Sequence, residues 1–208
     1  MTTQTIQIAA SADDSEELAR AELYGLLARL WLAAPDAELL GQFEVAVTQA
    51  PQPGAFLEAP WQSLVAAMRG TTPARAADEF DALFQGVGKP EVFLFGSFYL
   101  TGFLNEKPLA ALRTDLAALG LARDEQFGQT EDHVAALFEV MRYLIAGDDV
   151  AVCNLEQQRR FFRAHLQPWV EKLCGALDAH PAARLYRGVG GFTQAFVQVE
   201  TQGFDLLP

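Results

Sequence analysis

Apolar residues in this chain return every three or four positions and almost nowhere every two. Leu23, Leu26, Leu27 and Leu30 keep this spacing, as do Trp61, Leu64, Val65 and Met68. So do Leu109, Leu112, Leu116 and Leu119, then Val134, Leu137, Phe138, Met141, Leu144 and Ile145. Side chains so spaced share one face of an α-helix, and no segment alternates as a half-buried strand would. The spacing predicts an all-α fold of about nine to ten helices, packed as an antiparallel bundle with short connections. A chain of 208 residues suits one such domain. It also suits two lobes sharing a core about a hinge near 120–132. Residues 1–12, small and polar, read as a flexible tail, and 13–208 as the helical domain.

Starts and stops support that division. Asp13, Asp14 or Ser15 can cap a first helix that Pro35 ends, and Asp36 can cap a second with Leu39, Leu40, Phe43 and Val47 inward. Pro51-Gln52-Pro53-Gly54 is a linker, and Pro60 suits a first helical position. Thr72-Pro73 opens a helix that buries Ala77, Phe80, Leu83 and Phe84, and Ser97 can cap a short one. Gly120 suits a left-handed terminator with Leu121 packed back on Leu116. Thr130 can cap the helix after it, and Asn154 one through Leu155, Phe162 and Leu166.

Charge narrows the function classes. Fifteen basic residues against 27 acidic ones give a net charge of −12, unsuited to neutralising phosphates and so to nucleic acid. No apolar run approaches the roughly 18 residues of a membrane span. Met1 to Ala12 has no Lys or Arg, unlike a secretory signal. Cys153 and Cys174 lack metal-ligand spacing and read as reduced thiols, so the expected compartment is the cytoplasm.

Two stretches carry the candidate function. Gly86 to Phe103 is rich in glycine and aromatics, with Phe93, Phe95, Phe98, Tyr99 and Phe103 around Gly96 and Gly102. It suits either core packing or a partly open apolar groove for a peptide segment. Glu131-Asp132-His133 opens the helix after Thr130. At about 100° per residue, His133 and Glu131 flank its apolar face and Asp132 points away. Catalytic kits are absent: Ser97 lacks a nucleophile elbow, and His133, His165 and His180 form no H-E-x-x-H. Gly86-Val87-Gly88-Lys89-Pro90 is no phosphate loop, and Gly188-Val189-Gly190-Gly191 follows no strand. No metal or catalytic residue is expected. An enzyme using His133 as general base, or a permanent structural subunit of a redox complex, are the alternatives.

The chain resembles the TorD/DmsD/NarJ family of redox-enzyme maturation chaperones over roughly residues 20–200. Glu79-Phe80-Asp81-Ala82-Leu83-Phe84-Gln85-Gly86 is similar to its E-[YF]-x-x-L-F-x-G. Ser97-Phe98-Tyr99-Leu100 matches a Ser-aromatic stretch, and Asp132-His133 the end of E-P-x-D-H. Phe162 to Trp169 resembles F-x-x-H-L-x-P-W. The resemblance implies a non-enzymatic chaperone. Its partners would be the apo-form of a molybdoenzyme catalytic subunit and that subunit's basic twin-arginine signal peptide, held until cofactor insertion and then released for export. It ties Asp132 and His133 to peptide binding, and Glu131, Phe84, Gly86, Phe95, Ser97, Phe98 and Tyr99 join them as peptide-binding candidates. Glu79, Phe80, Leu83, His165, Pro168 and Trp169 become structural. It implies no cofactor beyond the weak GTP binding of some relatives, and a monomer or domain-swapped dimer. Gln129-Thr130 stands where the family has Glu-Pro, a departure that bears on the client and the hinge.

Overall fold

The computed structural model describes residues 12–49, 56–86, 88–124 and 127–207. Ten helices occur among them: α1 (Ala12–Leu32), α2 (Ala37–Glu44), α3 (Glu58–Arg69), α4 (Pro73–Phe84), α5 (Gly96–Thr101), α6 (Lys107–Ala118), α7 (Val134–Ala146), α8 (Leu155–His165), α9 (Val170–Ala179) and α10 (Leu185–Asp205). No strand occurs among the described residues, and the fold is all-α. The expected tail up to residue 11 and the linker at Pro51–Gly54 lie outside them.

Short polar side chains start several helices where the sequence supplies them. Asp36 accepts from Leu39 N at 2.8 Å, Thr72 from Arg75 N at 3.4 Å and Asn154 from Gln157 N at 3.1 Å. At the end of α6, Gly120 takes φ +71°, Gly120 N donates to Ala117 O, and Leu121 N donates to Leu116 O at 2.9 Å. This is a Schellman closure, which satisfies carbonyls left over by the helix.

Several expectations need correcting. Helix α1 already runs at Ala12, so residues 13–15 lie inside it. Pro60 is the third residue of α3, because that helix begins at Glu58. Val47 is exposed because α2 ends at Glu44, which takes it out of the helical register. In α4 the buried alanine is Ala76 rather than Ala77, and Leu155 is exposed at the first turn of α8. Ser97 is the second residue of α5 and does not cap it.

One apolar core joins buried residues from nine of the ten helices, with Tyr99 of α5 packed against it, so no second lobe separates. Helix α1 packs most extensively on α7, and α10 on α9 and α3. The large aromatics at the centre find partners for their polar ends. Trp31 Nε1 donates to Thr193 Oγ1 at 3.1 Å, and Tyr24 OH to the buried carboxylate of Glu200 at 2.9 Å. Arg20 closes on the same carboxylate with two hydrogen bonds of 2.9 and 2.7 Å, tying the first helix to the last.

Helix α10 has no cap of its own. The Glu79 carboxylate, reaching from α4, accepts from Arg184 N, Leu185 N and Tyr186 N at 2.8, 3.1 and 2.9 Å. A negative group at the positive end of a helix, holding three otherwise unpaired N–H groups, fixes α4 against α10. Replacing Glu79 with alanine is expected to cost about 2 kcal/mol. Urea unfolding followed by circular dichroism should show a lower midpoint at unchanged slope.

Candidate functional site

Between α4 and α6 the chain turns back across the start of α7 and is fastened by backbone, first to the end of α4 and then to the residues around Val134. Val92 N donates to Leu83 O at 2.9 Å, and Val134 N to Leu94 O at 2.9 Å. Phe95 and His133 pair as a single antiparallel bridge. Gly96 N then donates to the Asp132 carbonyl at 2.9 Å, and Ser97 N to Asp132 Oδ2 at 2.9 Å. Helix α5 makes no side-chain cap within its own segment, so Asp132 serves as its cap from a distant position. Thr130 Oγ1 donates to Asp132 Oδ1 at 2.7 Å and fixes the carboxylate.

This corrects the expected start of α7. The helix begins at Val134 and its cap is His133, whose Nδ1 accepts from Ala135 N at 3.2 Å. Thr130 holds Asp132 instead. The wheel that pointed Asp132 away fails because residues 131–133 are not helical. Asp132 and His133 are each 3% exposed, buried in the seam between the segments. An Nδ1 that accepts places the ring proton on Nε2. Burial pushes the His133 pKa down to about 4, against the opposing charge of Asp132. Its ring meets Phe95 edge-on at 5.2 Å and Phe127 at 6.3 Å.

Glu131 lies on the other side, gripped by Arg113 through hydrogen bonds of 3.1 and 2.9 Å, which hold its carboxyl below the usual range. In the aromatic run, Phe93 stacks on Phe98 at 3.9 Å and Tyr99 on Trp169 at 5.6 Å. A Cβ on Gly96 would stand 2.9 Å from Trp169 Nε1, so only glycine lets that ring lie flat on the seam. Trp169 Nε1 donates to His165 O at 2.6 Å, and His165 Nε2 lies 2.8 Å from Asp115 Oδ2. Pro168 sits in the exposed turn between α8 and α9.

The motif Glu79 to Gly86 lies apart from the seam. Phe84 packs on Tyr186 at 4.8 Å and on Phe80 at 5.1 Å, and Gly86 turns so close to Lys89 that a Cβ would meet its carbonyl at 3.0 Å. Leu83 is fully buried in the core.

Two concavities adjoin the seam. A small cleft of about 190 Å³ is lined by Ser97, Leu100, Asp115, Asp132, His165 and Trp169 among others. There Ser97 Oγ is buried and makes no hydrogen bond. A larger groove of about 720 Å³ runs along α7 and is mainly apolar. Ala28 and Leu32 of α1, Leu116 and Leu121, Phe127, and Ala136, Val140 and Tyr143 of α7 form its surface. Glu131, Glu139, Asp124, Arg29, Arg123 and Arg142 frame it. Sequence reasoning passed over this groove. Its signal is a second apolar row on α7, Ala136, Val140 and Tyr143, beside the core row; a helix apolar on two faces has a second face to cover.

Among the described residues no helix is long and apolar enough to cross a membrane, and no three His, Cys, Asp or Glu side chains gather to hold a metal ion. Fold and site together define an all-helical protein with an open apolar groove braced by a buried Asp-His seam. The chain belongs to the nitrate reductase delta subunit family, the NarJ/TorD family, whose model matches residues 51–175. Its relatives include the Chaperone protein TorD of Aliivibrio fischeri, 26% identical over 202 residues that cover 88% of this chain and 93% of the relative. The Chaperone protein TorD of Vibrio cholerae is 25% identical over 138 residues, and that match spans 63% of each chain, less than two thirds of the relative's length.

A histidine that folding holds neutral makes stability depend on pH. Below its unfolded pKa of about 6.5 the unfolded chain takes up a proton that the folded chain refuses until about pH 4. Stability is therefore full above pH 6.5 and falls through that window, by about 3 kcal/mol for His133 at most. His165, also lowered by burial, adds to the same slope. His133→Asn keeps a capping oxygen but has no titratable ring. Chemical unfolding between pH 4 and 7.5 should show a flatter pH dependence for this variant than for the native chain.

Proposed function

We propose that this protein is a chaperone for the catalytic subunit of a molybdenum-containing oxidoreductase, binding the basic twin-arginine leader of its precursor in the cytoplasm before export. The observation that carries the reading is the open apolar groove along α7, joined to the Asp132-His133 seam through the Phe127–His133 ring contact. The names of the relatives support it, both matched proteins being called chaperones.

Physically, a leader has a cationic head and a modestly apolar body. The body is sheltered by Leu32, Leu121, Phe127 and Val140, an apolar surface suited to a helix laid in a groove. The net charge of −12 raises the encounter rate with a basic segment. Asp132 and His133 act as positioning residues: they fix the wall on which Phe127 stands while both Asp132 carboxylate oxygens and His133 Nδ1 stay engaged in the seam. The enzyme alternative loses ground on the same geometry. A buried imidazole whose pKa lies near 4 is poorly matched to proton abstraction near neutral pH.

Isothermal titration with the leader of a co-encoded molybdoenzyme tests the proposal. Binding is expected, and Ala136→Trp, which fills the groove from its exposed side, is expected to weaken it at least tenfold while circular dichroism stays unchanged. If neither leader nor apo-subunit binds the native chain, the proposal is wrong.

A further inference from the structure

The groove is not electrically uniform along its length. Helices α1 and α7 run antiparallel: Tyr24 lies on Phe138, Arg20 shares Gln158 with the Leu144 carbonyl, and Ala28 and Leu32 border the groove with Ala135. The early part of α1 therefore faces the C-terminal end of α7. From Ala135 to Tyr143 the groove is about 12 Å long, or two turns of helix.

At the Tyr143 end, Arg142 of the lining is paired with Glu139 at 2.8 Å, and acidic groups beyond that pair lie exposed. Asp148 and Asp149 follow α7 directly and are exposed. The Tyr143 phenol is raised above its ordinary value by the Cys153 thiol first, with Asp149 and Asp148 among the smaller causes. Glu22 is exposed on α1, two turns before Arg29 on the same face, and so at this end as well. The C-terminus of α7 adds partial negative charge. The opposite end differs. Arg29 stands exposed on the last turns of α1 with no ion pair among the described residues, Arg123 donates to the Gln129 carbonyl, and Asp124 lines this end beside them. Glu131 is already neutralised there by Arg113. The carboxylates of the neighbouring cleft are engaged too, Asp132 with Ser97 N and Thr130, Asp115 with His165 and Arg160.

Resting on the chaperone reading above, we propose that the groove binds its peptide in one polarity: the cationic head at Tyr143, Asp148 and Glu22, and the apolar body running toward Leu32 and Phe127. For a partner whose basic residues precede its apolar stretch, the N-terminal end lies at the C-terminus of α7. Glu22 and Asp148 are then specificity-determining residues outside every motif of the sequence, and Arg29 repels a head entering from the wrong end.

The experiment compares two synthetic peptides of one composition, with two arginines placed either before or after the same apolar segment. Titration of the native chain at low salt should favour the arginine-first peptide about tenfold. In Glu22→Lys/Asp148→Lys the preference should vanish or reverse; both side chains are exposed, so folding is retained. A photoreactive phenylalanine at the head should attach near Tyr143, and one at the far end near Phe127. Heads that attach at the Phe127 end or in the Ser97 cleft, or a double variant that leaves the preference intact, overturn the polarity while the chaperone reading stands. If neither these peptides nor the co-encoded leader and apo-subunit bind, that reading fails first.

Discussion

The Asp132 side chain and carbonyl do for α5 what a local cap does for other helices, but from 35 residues downstream. With the two N–H groups of Gly96 and Ser97 held this way, the aromatic segment is pinned to the start of α7, where it borders the small cleft. The carboxylate is buried at 3% exposure with a partner for each oxygen: the Ser97 N–H on Oδ2 and the Thr130 hydroxyl on Oδ1. The neutral His133 ring follows from the same burial, and the flat seat of Trp169 on Gly96 closes the seam from outside.

Much of the fold was legible because helix signals are local. Asp36, Thr72 with Pro73, Asn154 and Gly120 each act within a few residues, and each does in three dimensions what its position predicts. The failures share a cause. Thr130 looked like a cap because a helix pattern follows it, yet residues 131–132 form a turn that brings His133 into its bridge with Phe95, and tertiary pairing overrode local preference. Val47 looked inward because the apolar count was carried past the end of α2. Glu79 was marked as structural only through resemblance; its grip on the start of α10 spans more than a hundred residues and leaves no local pattern. The resemblance also grouped Phe84 with the seam residues, although its ring packs with Tyr186 and Phe80.

The groove was invisible for a different reason. Ala136, Val140 and Tyr143 read as part of a thoroughly apolar helix, and nothing in one sequence says which of two apolar faces meets solvent. That choice is made by the packing of α1 on α7, which buries Val134, Leu137, Phe138, Met141 and Leu144 and leaves Ala136, Val140 and Tyr143 at the groove. In the function proposed, an unfilled surface and its charge distribution carry the recognition rather than a constellation of reactive groups. The weak motifs mark the family, and Glu79, Asp132 and Trp169 within them hold elements of the fold together.

Amide hydrogen exchange of Asp132→Ala, set against the native chain with and without leader peptide, tests the central claim most directly. If the carboxylate braces the groove, the Gly96 and Ser97 amides lose protection together with the first turn of α7, and leader binding weakens in step. Faster exchange confined to Ser97, with the Ala135 to Tyr143 face and leader affinity untouched, would show the seam and the groove to be independent.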